Sequence, residues 1–265
     1  MHESSELAWD RRYGKAGTLD PSWAPFLRHR SIRSFTSDPI SEDEVSALIA
    51  CAQSASTSSN LQLWSVVSVQ EPDRREALAR LCSDQNQVRS AAWFLCWFLD
   101  THRLRVAARE LDEEAAGLDF AEFGLMAAID VALAAERFAV AAEARGYGIC
   151  YIGALRNHPQ QVSELLQVPE GCVGLFGMCL GVPDETKPAE IKPRLNQDAV
   201  WFRETYPDHI DLKPYNDRMS AFYEQQGMKG EVTWSMRSAK RVRGDNLEGR
   251  EVLLSFLQQN GLFRR

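Results

Sequence analysis

The stretch from Phe123 to Arg145 most constrains what this chain can fold into. Ala, Leu, Met, Ile and Val dominate it, and Asp130, Glu136 and Glu143 are its few acidic residues. A helix that is apolar nearly all round must be enclosed by other elements, so the stretch predicts a central helix, closed by Gly146 as a C-cap. Its surroundings are also legible. Trp64 to Val69 is rich in β-branched residues, Ala91 to Leu99 is apolar on both faces and ends at Asp100, and 149–153 and 172–181 read as two further strands. Helices are expected over Ser41 to about Ala55, Glu76 to Leu81, Pro159 to Gln167 and Glu251 to Asn260, with Ser41 and Glu44 spaced as a capping box. Glycines inside 172–181 imply close backbone approach or bulging.

The two ends differ from this middle. Residues 1–28 mix Arg, Gly, Pro and Trp without periodicity and read as an extension whose Trp23 and Phe26 pack on the body. After Pro193 the chain turns polar, aromatic and charged, with an amphipathic stretch around Met219 to Tyr223. The segment 206–243 has too little apolar content for a core of its own, so it is expected to wrap over a body, that of a partner subunit included. The expected organisation is therefore 1–28 as an N-terminal extension, 29–205 as the core and 206–265 as an excursion ending in a helix.

At 265 residues, 45% of them hydrophobic, the chain can bury the core of one large domain or two small ones. A net charge of −7 argues against a nucleic-acid partner, which needs a cationic surface. The six cysteines include no C-x-x-C pair, so reduced and mostly buried thiols are expected, with no metal site. His102, His158 and His209 are surrounded by no His/Asp/Glu cluster and read as surface or capping residues. The N-terminus has neither a cationic nor an apolar leader, and no run approaches the roughly 20 apolar residues of a membrane span. A cytoplasmic protein with no membrane partner is expected.

Two constellations can carry chemistry. His29-Arg30-Ser31-Ile32-Arg33, joined by Lys192-Pro193-Arg194, offers the permanent cations and hydroxyl that a phosphate monoester requires. By residue type alone it fits a solvated loop equally well. Gly146 to Asn157 is a strand entering a glycine turn, where backbone N–H groups could face a planar ligand or simply close a core turn. No P-loop, no G-x-G-x-x-G and no G-x-S-x-G is present, and the serines of 54–59 read as a polar loop rather than a nucleophile.

Taken in order, H-R-S-I-R-S-F-T at 29–36, P-I-S at 39–41, the Ser/Thr loop ending in Gln62, the Gln85 and Gln87 region, G-I-C-Y-I-G-A-L-R-N at 148–157, L-F-G-M-C-L-G at 175–181, K-P-R-L at 192–195 and T-W-S at 233–235 resemble the nitroreductase family. The resemblance is to the branch of the major oxygen-insensitive NADPH nitroreductases and NADPH-flavin oxidoreductases, and it runs from about residue 29 to 260.

The resemblance implies an α+β fold, a mixed, mainly antiparallel sheet flanked by helices, with a C-terminal excursion wrapping the partner. It also implies a homodimer with two FMN sites at its interface. His29, Arg30, Ser31, Arg33, Lys192 and Arg194 would hold the phosphate, the ribityl chain or the pyrimidine edge. Thr57, Gln85 and Gln87 would touch the ring system. Tyr151, Ile152, Gly153 and Ala154 would bring a backbone N–H, that of Gly153, to flavin N5. No side chain is expected to be catalytic, because the hydride chemistry falls on FMN N5. NADPH or NADH would donate in a ping-pong cycle, and a nitroarene or quinone would accept at the same place. A free-flavin reductase uses the same residues, and a flavin-binding sensor or sequestering protein is the expectation of another class. Two departures stand out: Ala154 replaces a second glycine, and 225–231 keeps only Lys229 where NADPH-specific relatives are rich in arginine. Lys229 and Arg237 are the expected cosubstrate contacts, with NADPH only modestly preferred.

Overall fold

The computed structural model describes residues 4–15, 17 and 19–265. Its helices are α1 (Ser5–Tyr13), α2 (Ala24–Leu27), α3 (Glu42–Gln53), α4 (Pro72–Leu81), α5 (Asn86–Ser90), α6 (His102–Glu110), α7 (Ala121–Ala144), α8 (Pro159–Leu166), α9 (Lys213–Gln225), α10 (Trp234–Arg241) and α11 (Leu253–Gln259). Its strands are β1 (Trp64–Val69), β2 (Trp93–Asp100), β3 (Gly148–Ile152) and β4 (Cys172–Gly181). Residues 31–188 and 248–265 form one compact unit, and 1–30 with 189–247 form another.

In the larger unit the strands lie in the order β1-β2-β4-β3, and every pairing among the described residues is antiparallel. The expected α+β arrangement of a mainly antiparallel sheet flanked by helices is therefore present, but the sheet is not mixed: no parallel pair occurs among the described residues. Alternation along β2 explains why its sequence is apolar throughout. Leu95, Trp97 and Leu99 pack with Val45 and Leu48 of α3 and Val131, Ala135 and Phe138 of α7. Phe94, Cys96 and Phe98 face the opposite layer, with Leu78 of α4, Val88 of α5 and Val162 of α8. The glycines of β4 serve both expected purposes. The register against β2 shifts between Trp97 and Phe98, which pair with Phe176 and Gly174 and leave Leu175 as a bulge. A Cβ on Gly177 would come within 2.4 Å of Phe94 Cζ.

The helix ends show where local chemistry decides. α7 closes in a Schellman motif, Gly146 at φ 84° donating to Glu143 O and Tyr147 N donating to Ala142 O, each at 3.0 Å. Ser41 caps α3 by accepting from Glu44 N at 3.2 Å. The reciprocal half of the expected capping box is replaced, because the Glu44 carboxylate accepts from Arg145 at 2.7 Å. α4 begins four residues earlier than expected, because Glu71 caps it, accepting from the N–H groups of Asp73 and Arg74. Five cysteines are buried, and Cys51 is exposed.

The smaller unit corrects the reading of 1–28 as an aperiodic extension. α1 is capped by Ser4, which accepts from Leu7 N, and ends at Gly14 in the left-handed region. Nine residues with one buried edge leave little periodic signal, which is why the helix was invisible in sequence. Trp23 and Phe26 were expected to pack on a body. They are instead 55% and 59% exposed and touch each other, ring centroids 6.3 Å apart. In this unit Ala8, Ile191, Tyr215 and Met219 are buried. Asn216 and Ser235 tie α9 to α10 through two hydrogen bonds of 2.9 Å.

Candidate functional site

The candidate residues fall into two groups, one in each unit. In the smaller unit, burial alternates along 191–194: Ile191 and Pro193 are buried, Lys192 and Arg194 exposed. That alternation turns both cations to one side of the segment. Arg194 donates to the carbonyls of Lys192 and Pro193 at 3.2 and 3.3 Å, and among the described residues no carboxylate pairs with it. His29 and Arg30 belong to the same unit, half-buried, and Arg12 joins their segment to this one: its guanidinium donates to His29 O at 3.0 Å and to Lys192 O at 3.4 Å.

In the larger unit, Ser31 to Arg33 run along the edge of β3. Ile32 N donates to Ile149 O at 2.9 Å, and a Cβ on Gly148 would meet Ile32 at 2.7 Å, so glycine is what lets the two backbones approach. Arg33 is exposed, donates to Ser31 O at 3.4 Å and has no carboxylate partner among the described residues. Its charge partly offsets burial, which pushes the Cys150 thiol up. β3 passes directly into a turn of 3-10 helix over Gly153–Arg156. Ala154 is buried in the turn, and the Arg156 guanidinium donates to the carbonyl of Leu175, the residue left unpaired by the β4 bulge. Tyr151 stacks edge-on against Phe176 and donates to Glu136 at 3.2 Å; burial, then that carboxylate, raises its phenol well above the usual range.

Thr57 lies in the polar loop, but its hydroxyl is engaged within the protein. It donates to Asp130 at 2.5 Å and accepts from Gln62 N at 2.8 Å. Asp130, 1% exposed, also accepts from the backbone N–H groups of Ser58 and Leu63. The loop so held contains three non-glycine residues in the left-handed region, Ser59, Asn60 and Gln62, a concentration of strain that only such anchoring sustains. Gln85 and Gln87 are linked, Gln87 Nε2 donating to Gln85 Oε1 at 2.6 Å. Lys229 is exposed, while Arg237 lies 5.0 Å over the Tyr223 ring with one N–H on Met228 Sδ. Two residues that organise these groups, Asp130 and Arg12, were missed in sequence. A lone carboxylate in an apolar helix is a signal, since a buried charge must collect donors; nothing marked Arg12.

These residues suit an anionic, planar group. Arg33 and Arg194 bring charge that no described carboxylate neutralises. Gly153 has an ordinary φ, and a Cβ there would meet nothing nearer than Arg156 Nη2 at 3.5 Å, so packing within the chain does not require glycine. Among the described residues no group of His, Cys, Asp and Glu could hold a metal, and no helix is long and apolar enough to cross a membrane.

The fold is a small antiparallel sheet flanked by helices, and comparison with known proteins gives the class, flavin-dependent oxidoreductases, and the family. The profile of the nitroreductase family matches residues 27–181, and that of the nitroreductase family C-terminal domain matches 192–265. The chain belongs to the nitroreductase family. It is 38% identical over 242 residues to the NADPH-flavin oxidoreductase of Vibrio harveyi, covering 90% of this chain and 97% of that one. It is 37% identical over 216 residues to the FMN reductase (NADPH) of Bacillus subtilis, covering 79% and 86%. Among solved structures, the NfrA1 nitroreductase of B. subtilis superposes with a TM-score of 0.85 at 33% identity, covering 91% of this chain and 98% of that one. The V. harveyi NADPH:FMN oxidoreductase complexed with NAD+ gives 0.79 at 38%, covering 91% and 98%.

Proposed function

We propose that this protein is an NAD(P)H-dependent FMN oxidoreductase that passes a hydride to nitroaromatics or quinones. The observation that carries the reading is that the nitroreductase-family profiles match residues 27–181 and 192–265, and each of the two units supports it with an arginine, Arg33 in one and Arg194 in the other, that no described carboxylate neutralises. When bound, FMN supplies the hydride chemistry at N5, in two half-reactions that share one place. The protein's own part is to bind and orient. His29, Arg30, Ser31, Arg33, Lys192 and Arg194 hold the phosphate end, and charge-assisted contacts of this kind are the strong ones. Tyr151, Ile152, Gly153 and Ala154 offer the amide at N5. Gln85 and Gln87 face the ring, and the role of Thr57 is to fix, through Asp130, the loop that lies against it. Lys229 and Arg237 receive the cosubstrate, and with one of them already stacked on Tyr223 the preference for NADPH over NADH is modest.

The active form is a homodimer, and its location is the cytoplasm. Support for the dimer comes from α7, where Leu125, Ile129 and Leu133 stand 54%, 56% and 44% exposed along one side of a helix whose other side packs in the core. A second reading, reduction of free flavin, is favoured by the names of the V. harveyi and B. subtilis relatives. Anaerobic titration with NADPH and NADH tests the enzyme: the flavin absorption band should bleach with both. No bleaching would leave a flavin-binding sensor or sequestering protein. Turnover with nitrofurazone, benzoquinone and free FMN then separates the two enzyme readings.

A further inference from the structure

Arg12 lies in α1, outside the stretch that the family profile matches, which begins at residue 27. It is 5% exposed, so its guanidinium is a buried permanent cation, and such a group is tolerated only where its donors are used. Nε donates to Leu27 O at 2.8 Å, Nη2 to His29 O at 3.0 Å and Nη1 to Lys192 O at 3.4 Å. Its own carbonyl accepts from Arg194 N at 3.0 Å. One residue thus fixes the backbone at His29, at Lys192 and at Arg194, three of the residues that the proposed function assigns to the flavin phosphate. The rigid fork of arginine serves separate carbonyls at once, which a point cation does not.

We infer that Arg12 is a positioning residue for the phosphate end of the flavin site, setting the spacing between the 27–30 and 192–194 segments. The inference rests on the FMN reading above. It touches no ligand: its effect passes through the carbonyls and the amide it holds. The adjoining Arg11–Glu190 ion pair, 2.6 Å long, bridges the same segments at the surface, where both side chains are about 40% exposed or more, so it contributes little.

Riboflavin, which lacks the phosphate, separates positioning of the grip from general support of the fold. Apoprotein of the wild type, Arg12→Gln and Arg11→Ala is titrated with FMN and with riboflavin, following quenching of flavin fluorescence. Wild type and Arg11→Ala should prefer FMN to the same degree. Arg12→Gln should lose about tenfold or more of that preference while its riboflavin affinity stays within about twofold, as expected when charge-assisted contacts are misaligned. Equal losses for both flavins, an unchanged ratio, or the same loss in Arg11→Ala would overturn the inference. A wild type that does not distinguish FMN from riboflavin would instead refute the phosphate grip itself. Should Arg12→Gln not fold, Arg12→Lys is read in its place: it keeps the charge without the fork and should still lose several-fold of the preference, and full retention would overturn the inference.

Discussion

Asp130 shows how much one buried carboxylate can organise. Replacing it by alanine strands the Thr57 hydroxyl and two backbone N–H groups, so Asp130→Ala should destabilise the protein by about 3 kcal/mol or more, read from urea unfolding. Thr57→Val, nearly the same shape, should cost about 1–2 kcal/mol. The close approach at Gly177 makes a second residue-scale test. Gly177→Ala drives a methyl into Phe94 and should cost about 1–3 kcal/mol; Phe94→Leu in the same chain should recover part of the loss, and strict additivity would show that the two do not touch. At the phosphate end, Arg33→Ala with Arg194→Ala removes two charge-assisted contacts of about 1.5–3 kcal/mol each, so the purified double variant should be colourless. Retained stoichiometric FMN would mean the grip is elsewhere.

Among the elements, α7 carries one apolar face too many for a lone chain. Ile129→Asp with Leu133→Asp should convert the proposed homodimer to a monomer in light scattering; an unchanged dimer mass would move the interface off this helix. α4 and α5 are joined by Glu76, whose carboxyl Arg89, and then Arg80, hold at about 2, below its ordinary 4.5. Because the folded value is the lower one, the stabilisation is complete above pH 4.5 and disappears as pH falls toward 2. The acid limb of a stability curve should therefore be shallower in Glu76→Gln than in wild type. These elements also show what the sequence made legible. β1 and β4 were readable to the residue because β-branched and glycine-marked runs have sharp ends, and α7 because nothing else is so apolar. α1, α6 and α10 were not: each is polar and short, and α1 takes its place from tertiary contacts rather than from a periodic face. The cations of the site were legible as types. What holds them was not, since Arg12 acts through backbone carbonyls that no motif encodes.

For the whole molecule, cofactor and stability are one equilibrium. FMN at 100 times its Kd should add about 2.7 kcal/mol to the protein that binds it. Stripped protein should accordingly melt several degrees lower by calorimetry, and FMN should restore the difference; no shift would show that FMN is not bound. The chain also crosses between its two compact units at 30/31, 188/189 and 247/248, so neither unit is built from one continuous segment. That interleaving has a cost in time. Arg11 and the glutamate it pairs with are 179 residues apart, and at about 5–20 residues per second a ribosome needs on the order of 10–35 s to make the second after the first. Throughout that interval α1 is a nine-residue helix, too short to persist alone, that can dock only on the residues just after it, such as Leu27 and His29, and the nascent chain carries its remaining face exposed to proteases and chaperones until the segment at 190 emerges.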